Sequence, residues 1–213
     1  MNVGIIGASG RIGQHVLKGA IQNNWKVHGL SLTRELPNVM HPNIMYSAGD
    51  IRQPEVARKT VANQQVVVVT VGTRQIISPH TLHYESLKSV VDALSAIQGV
   101  HAYDVRLIAV LGAGILDHPR GVPLGCLQSF DAPTAWLEDY LKAFDYINGI
   151  ADLNWTLVCP AFMSDEKASG NYRVAANSLP EGGRCIGAGD VADFILKEIT
   201  CRQFIRSRVG ITY

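Results

Sequence analysis

Cysteine, net charge and long apolar runs are all scarce in this 213-residue sequence. The four cysteines (Cys126, Cys159, Cys185, Cys201) form no Cys-x-x-Cys pair and have no histidines clustered about them. That argues against a disulfide frame or a zinc motif and for a reducing, cytoplasmic setting, and no metal site is expected. Charged residues are 17% of the chain, 19 basic against 18 acidic, which excludes a nucleic-acid binder that works by bulk charge. A hydrophobic fraction of 47% excludes a disordered chain. The longest apolar stretch, residues 66–71, is far short of the ~20 residues of a spanning helix. Glycines at positions 4, 7, 10 and 13 interrupt any signal-like run, so neither a targeting segment nor a membrane partner is expected. Also missing are a Gly-x-Ser-x-Gly elbow, a Walker turn and a His-Glu-x-x-His pair, leaving hydrolase and kinase chemistry without an anchor. The sequon Asn154-Trp155-Thr156 sits at the edge of an apolar strand, where a glycan has no room.

What is present is alternation. Short β-branched runs at 3–6, 27–32, 44–46, 66–71, 105–111 and 155–159 read as strands, several apolar on both faces as in a buried parallel sheet. Between them, apolar residues fall at helical spacing: Ile12, Val16, Ala20 and Ile21; then Leu82, Leu87, Val90, Val91, Leu94 and Ile97; then Leu137, Tyr140, Leu141 and Phe144. Asp190 followed by Asp193, Phe194, Ile195 and Leu196 reads as a capped helix start. The fold expected is α/β, a doubly wound parallel sheet of Rossmann type forming one domain over 1–213. Two irregular stretches stand out: a turn-rich loop at 116–133, of the kind that covers a ligand, and residues 164–189, read as a substrate-side lobe with a short hairpin.

The first strand runs into Gly7-Ala8-Ser9-Gly10-Arg11-Ile12-Gly13. Gly7 serves the sharp turn, Gly10 the close approach of backbone to a pyrophosphate, and Gly13 the packing of the new helix on the sheet, whose amino end favours an anion. Gly7, Ser9, Gly10, Arg11, Ile12 and Gly13 are thus candidate dinucleotide contacts. At the end of the second strand stands Thr33-Arg34 in place of the acid that holds a ribose 2′-hydroxyl in NAD sites. A guanidinium there suits a 2′-phosphate, and Arg11 is read as a second approach to it, so NADP(H) is preferred over NAD(H). Asp50 and Ile51 are candidates for the adenine, with Asp50 alternatively the N-cap of the next helix. Gly72 and Thr73 end the fourth strand beneath the ribose.

Other residues carry weaker signals. His80 and His83, three apart, could serve as ligands or acids, but after Pro79 they read as a solvated helix entrance. His118 is a proton-donor candidate in the long loop, and Tyr172 is either a pocket residue or a strand start. Trp136, Tyr140 and Phe144 read as core or a helix–helix interface, and Arg202, Arg206 and Arg208 as a solvated face.

The glycine turn, Thr33-Arg34 and Gly49-Asp50-Ile51 resemble the atypical short-chain dehydrogenase/reductases. Val110-Leu111-Gly112-Ala113-Gly114, the block from Leu153 to Ala161, Ser169-Gly170-Asn171-Tyr172-Arg173 and Gly189-Asp190-Val191-Ala192-Asp193 narrow the likeness to the NAD(P)H-binding, NmrA-like branch with its NADH-flavin and biliverdin reductase B-like flavin reductases. The resemblance implies that Pro160, Ala161 and Phe162 border the nicotinamide, that Gly112 and Ala113 face them, and that the 116–133 loop and the lobe roof a pocket. One departure matters. Between the fifth and sixth strands the family's Tyr-x-x-x-Lys pair is absent, since Tyr140 is followed at that spacing by Phe144 and Tyr146 by Ile150, and no serine stands at 112–114. Carbonyl reduction then lacks its usual acid, whereas hydride transfer to a flavin (FMN or FAD as substrate) or quinone-like acceptor needs stacked geometry more than an acid. The expectation is an NADPH-dependent reductase acting on a small-molecule acceptor as monomer or homodimer; the alternative is a non-catalytic NADP(H)-binding redox sensor.

Overall fold

Every expected strand forms in the computed structural model, which describes residues 1–33, 41–73, 80–97, 104–127 and 134–213. The chain runs β1 (Asn2–Ile6), α1 (Arg11–Gln22), β2 (Lys26–Ser31), β3 (Ile44–Ala48), α2 (Pro54–Val61), β4 (Val66–Val69), α3 (Leu82–Ala96) and β5 (Arg106–Val110). It continues through α4 (Thr134–Asn148), β6 (Trp155–Pro160), β7 (Phe162–Ser164), β8 (Arg173–Ala176), β9 (Cys185–Gly187), α5 (Ala188–Cys201) and β10 (Ser207–Thr212). The main sheet has the order β3-β2-β1-β4-β5-β6-β10-β8, parallel throughout except for β8, which runs antiparallel to β10.

Strand β4 shows why the sheet is buried on both faces. Val67 and Val69 join one apolar cluster with Ala57 of α2, Leu87 of α3 and Ala143 of α4. Val66 and Val68 join another with Val16 of α1 and Ile195 of α5. A four-valine run satisfies both layers because successive side chains point to opposite faces. Successive strands step outward from β1 to β3 in one direction and from β4 onward in the other. The chain therefore reverses between β1 and β4, and open α/β sheets place their ligand crevice at the carboxyl ends of such strands.

The carboxyl-terminal third departs from the pattern its sequence suggests. The lobe holds no hairpin of its own: β7 pairs in parallel with β9, and β8 joins the main sheet. Strand β10, whose arginines suggest a solvated face, fills an interior place between β6 and β8. Its Arg208 is mostly buried, ion-paired to Asp117 at 2.8 Å with its guanidinium 4.4 Å from the Phe144 ring centre. Arg206 donates to the carbonyls of Ile150 and Ala151, while Arg202 is exposed at the end of α5. Helix α5 begins at Ala188, so Asp190 lies inside its first turn rather than capping it. Trp155 and Thr156 of the sequon are fully buried. Among the described residues, no helix is long and apolar enough to cross a membrane.

Candidate dinucleotide site

Gly7 ends β1 with φ +83°, a left-handed conformation, and a Cβ there would sit 2.8 Å from the Thr70 carbonyl oxygen. The N–H groups of Gly7 and Ala8 both donate to the Leu30 carbonyl, at 2.9 and 3.0 Å, which hooks the turn onto β2. Gly13 is pinned harder: its Cβ would lie 2.1 Å from the Gly7 carbonyl oxygen. Helix α1 can thus start flush against the turn only with glycine at 13. Gly10 is its N-cap and offers no side-chain bond, and Gln14 N–H to Gly10 oxygen is the first backbone bond of the helix. The N–H groups of Arg11, Ile12 and Gly13 have no acceptor among the described residues. Three unpaired donors at the positive end of a helix dipole form a ready anion site.

A cleft opens beside this turn at the strand ends, lined by Gly7, Ser9 and Gly10, by Ser31 and Leu32, by Gly49 to Arg52, by Thr70 to Gly72, and by Leu82. Ser31 is 1% exposed and its Oγ has no hydrogen-bond partner among the described residues, an orphaned buried hydroxyl on the cleft wall. Thr33 is exposed at the rim. Arg34 lies outside the described residues. Asp50 is gripped by Arg52, whose Nη2 is 2.6 Å from Oδ2 and whose own N–H also donates to the carboxylate. The Arg52 guanidinium holds the Asp50 carboxyl below the usual carboxylate range. Arg52 also reaches Glu85 of α3 at 3.2 Å. Asp50 does not cap α2, which starts at Pro54 after an N-cap at Gln53. Arg11 points away from the β2 end of the cleft: its guanidinium pairs with Asp165 of the lobe at 3.1 Å.

At the end of β5, Gly112 lies under Tyr140 of α4; a Cβ on Gly112 would come within 2.7 Å of that ring. Burial pushes the Tyr140 hydroxyl well above its ordinary titration range, which makes it a poor acid. Ala113 is buried beside it. Across from them, Pro160 ends β6, Ala161 N–H donates to Ile211, and Phe162 stands 80% exposed. Asp117 and Pro123 bridge within the loop, and His118 accepts a bond from the Arg120 N–H. Tyr172 is spent on α5: its hydroxyl donates to Asp193 at 2.8 Å and receives Lys197 at 3.2 Å. The lobe hangs on Asp190, whose carboxylate accepts from the N–H groups of Ser169 and Gly170 and the hydroxyls of Ser169 and Tyr213. Burial pushes that carboxyl up, but these donors outweigh it and leave it below the ordinary value.

His80 and His83 are not solvated. Both are buried, 7% and 5% exposed, against the wholly buried Asp139 of α4. Asp139 accepts from the N–H groups of His83 and Tyr84, both at 2.9 Å, and thereby caps α3 from a neighbouring helix. Asp139 lies 56 residues from His83, too far for local spacing to reveal.

The protein-family model described as NAD(P)H-binding matches residues 7–202. The uncharacterized protein YwnB of Bacillus subtilis is 23% identical over 207 residues, covering 93% of this chain and 92% of the other. A solved structure of a "putative NADH-flavin reductase" from Streptococcus pneumoniae superposes with TM-score 0.82 at 21% identity, over 100% of this chain and 99% of that one. A wide-type short-chain dehydrogenase/reductase from Veillonella parvula, solved with NADP, superposes with TM-score 0.77 at 18% identity, over 100% and 94%. The glycine turn with its uncapped helix is where that family match begins, and the match runs on through α5: the chain belongs to the NAD(P)H-binding family.

Proposed function

We propose that the protein is an NADPH-dependent reductase that passes hydride to a flavin or quinone-like acceptor. The observation that carries this reading is the amino end of α1, uncapped over a turn in which Gly7 and Gly13 admit no side chain. The N–H groups of residues 11–13 would hold the diphosphate, with Ile12 and Ser9 flanking it. Ser31, with its orphaned hydroxyl, suits a sugar hydroxyl; Ile51 and Asp50 would meet the adenine, Thr33 and Arg34 the 2′-phosphate, and Gly72 and Thr73 the second ribose. Gly112, Ala113, Pro160, Ala161 and Phe162 would border the nicotinamide. When bound, NADPH supplies the hydride.

The protein's own part is orientation. With no Tyr-x-x-x-Lys pair on α4 and with the Tyr140 hydroxyl held protonated by burial, no described residue of this wall is set to deliver a proton. An acceptor that takes its proton from solvent suits such a site, which favours a flavin or quinone over an aldehyde. The exposed Phe162 offers a flat apolar surface on which a planar ring could stack.

Steady-state oxidation of NADPH with riboflavin phosphate, against an NADH control, tests the reading. Turnover is expected, faster with NADPH. Gly10→Val should remove binding of both nucleotides, and Arg34→Ala should weaken NADPH far more than NADH. Unimpaired binding in Gly10→Val would sink the assignment of the turn. The missing acid pair also favours a second reading: tight NADPH binding without turnover on flavins, quinones or aldehydes would mark a redox sensor.

A further inference from the structure

We infer that His80, His83 and Asp139 form a binding site for one divalent transition-metal ion of the zinc class, set between the start of α3 and the middle of α4. Their ligand atoms all lie within 4.8 Å of one another. His83 Nδ1 is 2.9 Å, and His80 Nε2 3.6 Å, from Asp139 Oδ2. Tetrahedral zinc with bonds of about 2.0–2.1 Å sets neighbouring ligand atoms about 3.3 Å apart, so the two separations straddle the required edge. The third edge, between the two imidazole nitrogens, is no longer than 4.8 Å.

Helix capping explains part of this cluster but not all of it. The N–H groups of His83 and Tyr84 each use one lone pair on a different carboxylate oxygen, leaving Oδ2 able to take a further partner. Among the described residues the Nε2 of His80 has no hydrogen-bond partner, although its side chain is only 4% exposed. A buried ring nitrogen without a partner costs free energy, and an apolar side chain would fill the space without that cost. A cation satisfies it. Two imidazoles and a carboxylate are the donor set of open, three-ligand zinc sites, in which the fourth place belongs to water or an exogenous ligand. The rings bind neutral, and His83 exchanges its bond to Asp139 for the metal.

The surroundings suit a structured site. The Tyr140 ring stands edge-on to His83 at 4.7 Å and the Trp136 ring lies 6.2 Å from His80, walling the cluster from α4. Leu82, between the two histidines, lines the dinucleotide cleft. A bound ion would therefore stiffen that wall while joining α3 to α4.

Cobalt(II) titration of chelator-treated protein, without any nucleotide, tests this independently of the proposed reductase activity. One equivalent should bind with the visible ligand-field bands of a four-coordinate ion, zinc should displace it, and zinc should raise Tm. His80→Asn leaves the helix cap in place and should weaken cobalt binding at least about tenfold. His15→Asn, in α1, should leave binding unchanged. X-ray absorption of the zinc-loaded wild type needs no variant and should show two imidazoles. Absence of saturable binding at micromolar metal, equal binding by the folded His80→Asn variant, or a zinc edge without imidazole scattering would each overturn the site.

Discussion

In the amino-terminal half, the glycine turn is assembled from neighbours: Gly10 bonds to Gly7, Gln14 to Gly10, and Gly13 packs on Gly7. In the carboxyl-terminal half, the groups that hold the lobe reach across the chain. Ser169 meets Asp190 at a separation of 21 residues, Arg208 meets Asp117 at 91, and Arg11 meets Asp165 at 154. The first region is backbone geometry, which tolerates only glycine at two points. The second is side-chain charge, anchored on the buried Asp190 and the mostly buried Arg208. Local geometry builds an anion site from the backbone alone, while the lobe is specified by distant pairs.

The contrast can be broken at its most buried charge. Arg106 and Glu198 are 0% and 2% exposed with nitrogen and oxygen 2.6 Å apart, and Arg106 also holds Asn154 and Thr156. Glu198→Gln leaves an uncompensated buried guanidinium and should cost about 3 kcal/mol in urea unfolding. The apolar pair Arg106→Met with Glu198→Leu should recover most of that loss. A smaller effect is expected at Asp190, where Asn in place of Asp should cost about 2 kcal/mol and open residues 166–171 to protease. The same carboxylate sharpens the comparison through pH. Its folded value is depressed, so its stabilisation is complete above the unfolded value of about 4 and is lost as pH falls through the folded value. Wild-type stability should therefore drop in acid more steeply than that of Asp190→Asn. The smallest effect belongs to Arg11→Ala, since the pair with Asp165 is 38% and 64% exposed. Stability should change by less than about 0.5 kcal/mol, while hydrogen exchange at 163–165 quickens.

Legibility followed the same division. Strands β1 to β6 and the turn could be read because their cues are contiguous: β-branched runs, then glycines at fixed intervals before an amphipathic helix. Strand β10 escaped because Arg206 and Arg208 mask its alternation, and their partners lie in other elements. His80 and His83 looked solvated because the acid that buries them sits on α4. Asp190 was visible as a helix-start acid, but its grip on Ser169 and Gly170 requires the folded lobe. The place of Tyr140 against the end of β5 escaped as well, since only the missing side chain of Gly112 lets its ring lie there.

The place of β10 between β6 and β8 imposes an order on assembly. Strand β8 comes earlier in the chain, yet it has no seat until β10 has docked along β6, so the lobe waits for the most distant pairing of the sheet. Such non-local closure is slow. During that interval the bare flank of β6, with Val158 and Cys159 on its two faces, is a sticky edge that a second unfinished chain can join.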